Sequence, residues 1–529
     1  MSVAANAAAR ESADGGWLVA GIVVASLTEA LAGTLLAIGR SDIMGDIHST
    51  PDEFAWLDVC YTAMKLTGFA VAPWLLTRIE PRRALLGATA SMGLAAMLAA
   101  LSVQLGVLVA LRLVQGLAGA ILLVTGQAIL FWRYAPERQP VLQAIFAMGA
   151  VVAPATLAPM LQGWLIDTHD WTWIFFLVLP LALAAIGLML MAGPIQLPLL
   201  DRRALDGVGL AALTLALSSA AWLLSQGNRW DWLENGRVAK VLGLAVIAFL
   251  FVADRQRRAR TPLLDLALFR NDDFAFAFAV SFVAGAALFG SAFLIPTFAL
   301  SVLGMTPTEA GALLLPSGLV FAATLFVVAL LIRFRRIPPV ASVPFGILSM
   351  MIAMWMLSGS TLESGSDDMM AALLLRGFGL GCLFLSITLI AFSRLGPSHL
   401  AFGIGLFNIG RQLGGLIGVA GLQTLIDHQA AINRTMLGAV LTPGSHALTE
   451  RIGEYSALLV GRGMDPGTAA SAARALLART LGGQGTVIAF NTAFIAVALM
   501  FVAAVPIIVA VKVVLARQAS RRFAAGSPS

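Results

Sequence analysis

Fourteen apolar runs, each close to the length of helix that crosses a bilayer, divide this chain from one end to the other. About 20 helical residues cover the roughly 30 Å of hydrocarbon in a membrane. The runs fall at 17–38, 53–76, 84–103, 107–131, 142–166, 172–192, 208–225, 239–254, 274–301, 312–333, 340–357, 367–391, 402–424 and 488–514. A lipid-embedded backbone must bond to itself, and a helix does so within each segment. The expected fold class is therefore an all-α polytopic membrane protein. Composition agrees: 59% of residues are hydrophobic and 12% are charged, against about 25% charged in a soluble domain. A soluble globular protein and a disordered chain are both excluded.

The basic residues sort by side. With the N-terminus inside, the inner turns hold Arg78, Arg82 and Arg83, then Arg133 and Arg138, then Arg202 and Arg203. Later inner segments hold Arg255, Arg257, Arg258, Arg333, Arg335, Arg336 and Arg394, and the C-terminal tail holds Arg517, Arg521 and Arg522. The short outer loops hold only Arg40, Arg229 and Arg237. Positive charge follows the cytoplasmic side, so both termini are expected there, in a cell inner (cytoplasmic) membrane. The net charge of +6 needs no nucleic-acid partner. No cleavable signal is expected, since the first apolar run is long enough to span. Residues 425–487 are expected to form an extracytoplasmic loop with short helices, and 515–529 a disordered cationic tail.

Two basic turns echo each other. "LLTRIEPRR" (75–83) follows span two and "LLIRFRRIPP" (330–339) follows span ten. With spans seven and eight as an insert, these turns occupy equivalent places in two six-helix halves. Repeated halves around a central site are a plan of secondary transporters. The division reads 1–16 as an N-terminal segment, 17–192 as the first half and 193–273 as the inserted helices with linkers. Residues 274–514 form the second half, including 425–487, and 515–529 the tail.

Ionisable groups inside a membrane span cost about 2.5–3.5 kcal/mol on insertion scales and default to function. Six stand out: Glu29 in span one, Asp58 and Lys65 in span two, Arg112 in span four, Arg376 in span twelve and Arg411 in span thirteen. Asp58 and Lys65, seven apart, share a helix face. Glu29 is expected to carry the proton, because a carboxylate between apolar surroundings and a nearby cation can exist in both charge states. The competing reading is a fixed pair of Glu29 with Lys65 or Arg112 that locks helices together. Asp58, near a span end, is either a second coupling group or simply solvated. Arg376 has no acid in its own span and is expected to face a cavity or an acid elsewhere.

Other chemistry finds no foothold. His48, His169, His399, His428 and His446 fall in loops or span ends without metal-ligand spacing. Cys60 and Cys382 make no disulfide framework. There is no phosphate loop of the nucleotide-binding kind. No cofactor, metal or enzymatic activity is expected.

Several segments resemble one family. "LRLVQGLAGA" (111–120) looks like the Arg-x-x-Gln-Gly signature of major-facilitator proton antiporters. "DWTWIFFLVLP" (170–180), "LDGVGL" (205–210), "LLDLALFRNDDF" (263–274) and "GMTPTEAGALLLP" (304–316) resemble successive landmarks of the fourteen-helix EmrB/QacA-like drug:proton antiporters. "GLFNIGRQLGGLIGVA" (405–420) resembles that group's Asn-x-x-Arg-Gln-x-Gly-Gly segment. The resemblance runs from about residue 17 to 514. It implies proton-coupled transport, with Arg112 and Gln115 in the coupling signature and Pro159 in the gating segment. Asn408, Arg411 and Gln412 are expected to form a polar cluster between halves.

The departures are specific. Pro73, Thr77 and Glu80 stand where the turn after span two normally has Gly, Asp and Gly, while Arg78 is kept. The span-five segment reads "APMLQG" (158–163), keeping only Pro159 and Gly163 of Gly-Pro-x-x-Gly-Gly. Ala158 and Gln162 are expected to loosen a close helix contact. The family's span-one aspartate falls near Ala32, so Glu29, one turn earlier, is expected to take its role. Lys65 is not a usual feature of the group.

The leading functional expectation is a proton-driven exporter of small amphipathic compounds, of the multidrug efflux type. The alternative is a dedicated exporter of one metabolite, siderophore or lipid on the same fold, with Lys65 and Arg376 holding an anionic group. Expected partners are the small-molecule substrate, protons and the lipid bilayer, with a periplasmic adaptor protein compatible with either reading.

Overall fold

A computed structural model describes residues 2–34, 40–193, 201–259, 262–440 and 446–525. Fourteen of its helices are long and apolar enough to cross a membrane. Spans one to six are Gly15–Thr34, Pro51–Leu76, Pro81–Ala100, Leu105–Arg133, Pro136–Thr168 and Thr172–Met191. Spans seven and eight are Gly207–Gln226 and Gly236–Arg258. Spans nine to fourteen are Asp272–Ser301, Pro307–Arg335, Pro339–Leu357, Ser366–Phe392, Pro397–Ala439 and Pro466–Ala503. An even number of crossings brings both described ends to one face, here the termini face; the other is the far face.

Local signals in the sequence start several of these helices. Spans two and ten open with the same device, a Thr-Pro-x-Glu capping box. The Thr50 and Thr306 hydroxyls accept from the backbone N–H of Glu53 and Glu309, and each glutamate reaches back to its cap. A cap of this kind contributes about 1 kcal/mol. Proline in the first turn fixes φ where no N–H is needed. Span five is the irregular one: Met148–Leu157 winds as a π-helix containing Pro154, between α-helical Gln139–Ala147 and Ala158–Thr168. Proline supplies no N–H, and the ladder widens around it.

The two halves pack alike. Span one lies against six, three against six, two against four, three against four and one against five. The second half repeats each pairing, nine with fourteen, eleven with fourteen, ten with twelve, eleven with twelve and nine with thirteen. The fold is two six-helix halves plus two inserted helices. The halves meet where span five crosses span ten and where span two crosses span thirteen.

The inserted pair sits outside this core. Span seven packs on spans two and thirteen, and span eight packs on span seven. Span eight turns Ile247, Leu250 and Phe251 outward, a face suited to lipid tails. At the far face the hairpin tip reaches both halves: Arg229 pairs with Asp52 at 2.6 Å, Asn228 donates to Asp427 at 2.6 Å and Trp232 to Thr424 at 3.1 Å. At the termini face the Arg203 carbonyl accepts from Trp74 at 3.1 Å, while the Arg203 guanidinium lies 4.3 Å from the Phe402 ring centre. Asp206 caps span seven and takes two bonds of 3.0 Å from Arg255, which hold its carboxyl below the usual range.

Two segments differ from the sequence expectation. The described residues of 425–487 are mostly helical: span thirteen's helix runs on to Val440, His446–Gly461 is a separate helix, and span fourteen's helix begins at Pro466. Ala-rich stretches such as "SAARALLART" favour helix without membrane support. The tail, expected to be disordered, continues as helix through Ala525.

Candidate functional site

Glu29 sits on span one with 2% of its surface exposed. Its carboxylate fits because span four offers Gly119 opposite; a Cβ there would stand 2.9 Å from Glu29 Cγ. Lys65 of span two forms an ion pair with Oε1 of Glu29. The Tyr61 hydroxyl, one turn before Lys65, donates to the same oxygen at 2.8 Å. Span two thus delivers both a cation and a hydroxyl to one acid. Of the two ion pairs that the sequence left open, Glu29 with Lys65 is the one formed.

Arg112 is a neighbour of this group rather than its counter-ion. It is 1% exposed. Its Nη1 donates to the Ala32 carbonyl at 2.7 Å and to Gln115 Oε1 at 3.1 Å, and its Nε donates to the Leu57 carbonyl at 3.2 Å. The guanidinium carbon stacks 4.1 Å from the Tyr61 ring centre. Arg112 thereby ties spans one, two and four together and positions the tyrosine that binds Glu29. Its Nη2, and Nε2 of Gln115, are buried with no partner among the described residues. Asp58 is half-buried and forms no ion pair or hydrogen bond among the described residues. It lies within electrostatic reach of Arg112, Arg40 and Lys65.

From the second half, Arg411 approaches the same centre. Its Nη2 donates to Asn408 Oδ1 at 2.5 Å, and Asn408 donates in turn to the Ile404 carbonyl at 2.8 Å. The Arg411 charge is within electrostatic reach of Glu29, across the junction of the halves. Gln412 is half-buried and has no hydrogen bond among the described residues. Arg376 is fully buried, and its expected acid is not there: among the described residues it binds only hydroxyls, Ser291 at 2.8 Å and Ser317 at 3.0 Å.

Pro159 and Gly163 lie in the far-face seam, against Gly311 and Pro307 of span ten. Asp167, one turn on, accepts from the Thr308 backbone at 2.9 Å. Gln162 corrects the expectation of a looser contact. It is fully buried and donates to the Leu31 carbonyl at 3.1 Å and to Thr34 at 3.0 Å, so it fastens span five to span one. Its amide replaces by hydrogen bonding the close approach that glycine would give. Of the histidines, His399 has a charged partner, Asp265 at 2.7 Å.

Sequence reasoning missed Tyr61, Ser291 and Ser317. Tyr61 was findable: it is one of only three tyrosines and lies between Asp58 and Lys65. The serines carried no signal, because a hydroxyl in a membrane helix ordinarily bonds to its own backbone. The assembled centre is one buried carboxylate, its oxygen shared by an ammonium and a phenol, with the Arg411 cation of the other half within electrostatic reach.

Comparisons with known proteins bear on the fold and the family. The Major Facilitator Superfamily profile matches residues 18–419. Multidrug export protein EmrB of Escherichia coli (strain K12) is 25% identical over 423 residues, covering 79% of this chain and 82% of that one. The Multidrug resistance protein B homolog of Mycobacterium tuberculosis (strain ATCC 25618 / H37Rv) is 27% identical, covering 80% and 79%. Fatty acid resistance protein FarB of Neisseria gonorrhoeae is 23% identical, covering 93% and 95%. The solved structure of the human organic anion transporter MFSD10 (TETRAN) superposes with a TM-score of 0.54 at 14% identity, covering 92% of this chain and 99% of that one, a likeness of fold. The profile spans most of the chain, and the helices repeat in two six-span halves: the chain belongs to the Major Facilitator Superfamily, with the fourteen-helix EmrB/QacA-like architecture.

Proposed function

We propose that this transporter is a proton-coupled exporter of small amphipathic compounds, working by alternating access. The observation that carries the reading is Glu29: a buried carboxylate paired with Lys65, bonded to Tyr61 and within electrostatic reach of Arg411 of the other half. A movement of span two or span thirteen changes what Glu29 meets, which couples its protonation to the position of the halves. The halves, 17–192 and 274–514, rock about the centre, with 193–273 strapping spans two and thirteen. Relatives named for multidrug export and for fatty acid resistance support an amphipathic substrate.

The orientation proposed is both termini in the cytoplasm and 425–487 outside, in an inner membrane. The last turns of span thirteen's helix, the helix His446–Gly461 and the first turns of the helix that begins at Pro466 would then project on the outer side, where an adaptor protein could dock. The test is transport in proteoliposomes with an imposed proton gradient. Accumulation of a fluorescent amphiphile should follow the gradient and stop when an ionophore collapses it. Gradient-independent movement, or none for any amphiphile, would refute the reading.

A further inference from the structure

The six charges inside the spans do not cancel: Lys65, Arg112, Arg376 and Arg411 face two acids, Glu29 and Asp58. The surplus has a location. Arg376 is 0% exposed and bonded to two serine hydroxyls, and its Nη2 has no partner among the described residues. A guanidinium keeps its charge and has five N–H donors to satisfy. The Ser291 hydroxyl is already directed to the Leu288 carbonyl at 3.2 Å, while that of Ser317 accepts from Arg376 and donates to no acceptor among the described residues.

The first half shows what is missing. Gly116 of span four rests on span two between the Tyr61 carbonyl and the Lys65 amide, and Gly377 of span twelve rests on span ten between the Ser317 carbonyl and the Phe321 amide. The two crossings share one register. It sets Ser317 at the place of Tyr61, Phe321 at that of Lys65, Leu373 at that of Arg112 and Arg376 at that of Gln115. In the first half a cation and a hydroxyl converge on a protein carboxylate. In the second, a cation and hydroxyls converge with no carboxylate among the described residues.

We propose that Arg376, with Ser317 and Ser291, binds the anionic headgroup of an amphipathic substrate, whose carboxylate supplies the acid that no described residue supplies there. Phe321 and Leu373, one turn from Ser317 and Arg376 along their helices, are apolar and fully buried. The proposal rests on the exporter reading and narrows it to anionic amphiphiles. A purely structural Arg376 would instead pin spans nine, ten and twelve together, without regard to ligand charge.

The test is binding by the full-length protein in nanodiscs, with decanoate, methyl decanoate, decyltrimethylammonium and acetate as probes. Wild type should bind decanoate about tenfold or more tighter than methyl decanoate, the margin expected of charge-assisted hydrogen bonds. Arg376→Gln should bring decanoate to within about twofold of the ester, as one charged contact is removed, and leave ester binding unchanged. Ser317→Ala keeps the charge and should lower the decanoate-to-ester ratio severalfold; it decides the matter should Arg376→Gln not fold. Equal binding of acid and ester by wild type, or an unchanged ratio in a folded Arg376→Gln or in Ser317→Ala, overturns the proposal. Acetate displacing decanoate at equal concentration overturns the amphiphile and leaves a small-anion site. Binding of the ester and the ammonium without preference for decanoate sinks the anion site alone. Failure of all four probes to bind counts against the exporter reading itself.

Discussion

Alanine at Gly311 should tilt the protein toward a state open at the far face. The seam there is backbone against backbone: a Cβ on Gly311 would stand 2.7 Å from the Pro159 carbonyl oxygen and 2.8 Å from Met160 Cα. Ordinary contact begins near 3.4 Å, so the added methyl requires spans five and ten to part by about 0.7 Å in a close-packed region. No rotamer relieves a clash with main chain. Overpacking of this kind costs about 1–3 kcal/mol. The cost falls only on conformations in which the seam is shut, so the open population should rise about 5- to 150-fold. At the termini face Gly405 lies on the Phe69 carbonyl in the same manner, and Gly405→Ala should favour opening there. Spin labels at Asp170 and Ser301, in a background without Cys60 and Cys382, would report the far-face distance by pulsed electron resonance. Gly311→Ala should enlarge the long-distance population and Gly405→Ala should not. Folded variants that leave the distances unchanged, or that shift them in the same direction, would refute the rocking geometry.

Three further outcomes are expected. If Glu29 with Lys65 is only a static pair, Glu29→Gln should lose about 3–5 kcal/mol of stability and Glu29→Gln with Lys65→Met should regain both folding and export. We expect instead that the double variant stays inactive in vesicle export, with Glu29→Asp partly active. Arg112→Ala should reach the membrane yet abolish proton-coupled export, since it removes the bonds to Ala32, Leu57 and Gln115 that position Tyr61; normal export by the well-expressed variant would contradict this. A membrane-impermeant thiol reagent added to intact cells should label a cysteine at Ser445 and spare one at Ser520, and the reverse pattern would invert the topology.

Much of this fold was legible because the bilayer imposes one length on every span. The fourteen runs reappear as helices, with span ends shifted by a few residues where capping boxes such as Thr50–Glu53 set the start. The extensions of spans thirteen and fourteen were not legible, since helix outside the membrane leaves no hydropathy signal. In the site, Glu29 and Lys65 announced themselves as costly charges, and the structure pairs them. Which cation would meet Glu29 depended on rotation of the helices about their axes, which spacing along one span does not fix. Gln162 was misread because a motif position was judged by lost closeness, whereas its amide bonds directly to span one. The hydroxyl partners of Arg376 were invisible because each comes from a different span.

Proton release on substrate binding tests the role of Glu29 most directly. Purified protein in weakly buffered detergent solution, given a transported amphiphile, should release protons in the wild type. Glu29→Gln should bind the amphiphile and release none. Release by Glu29→Gln equal to wild type would contradict the assignment of Glu29 as the carrier and pass the role to Asp58.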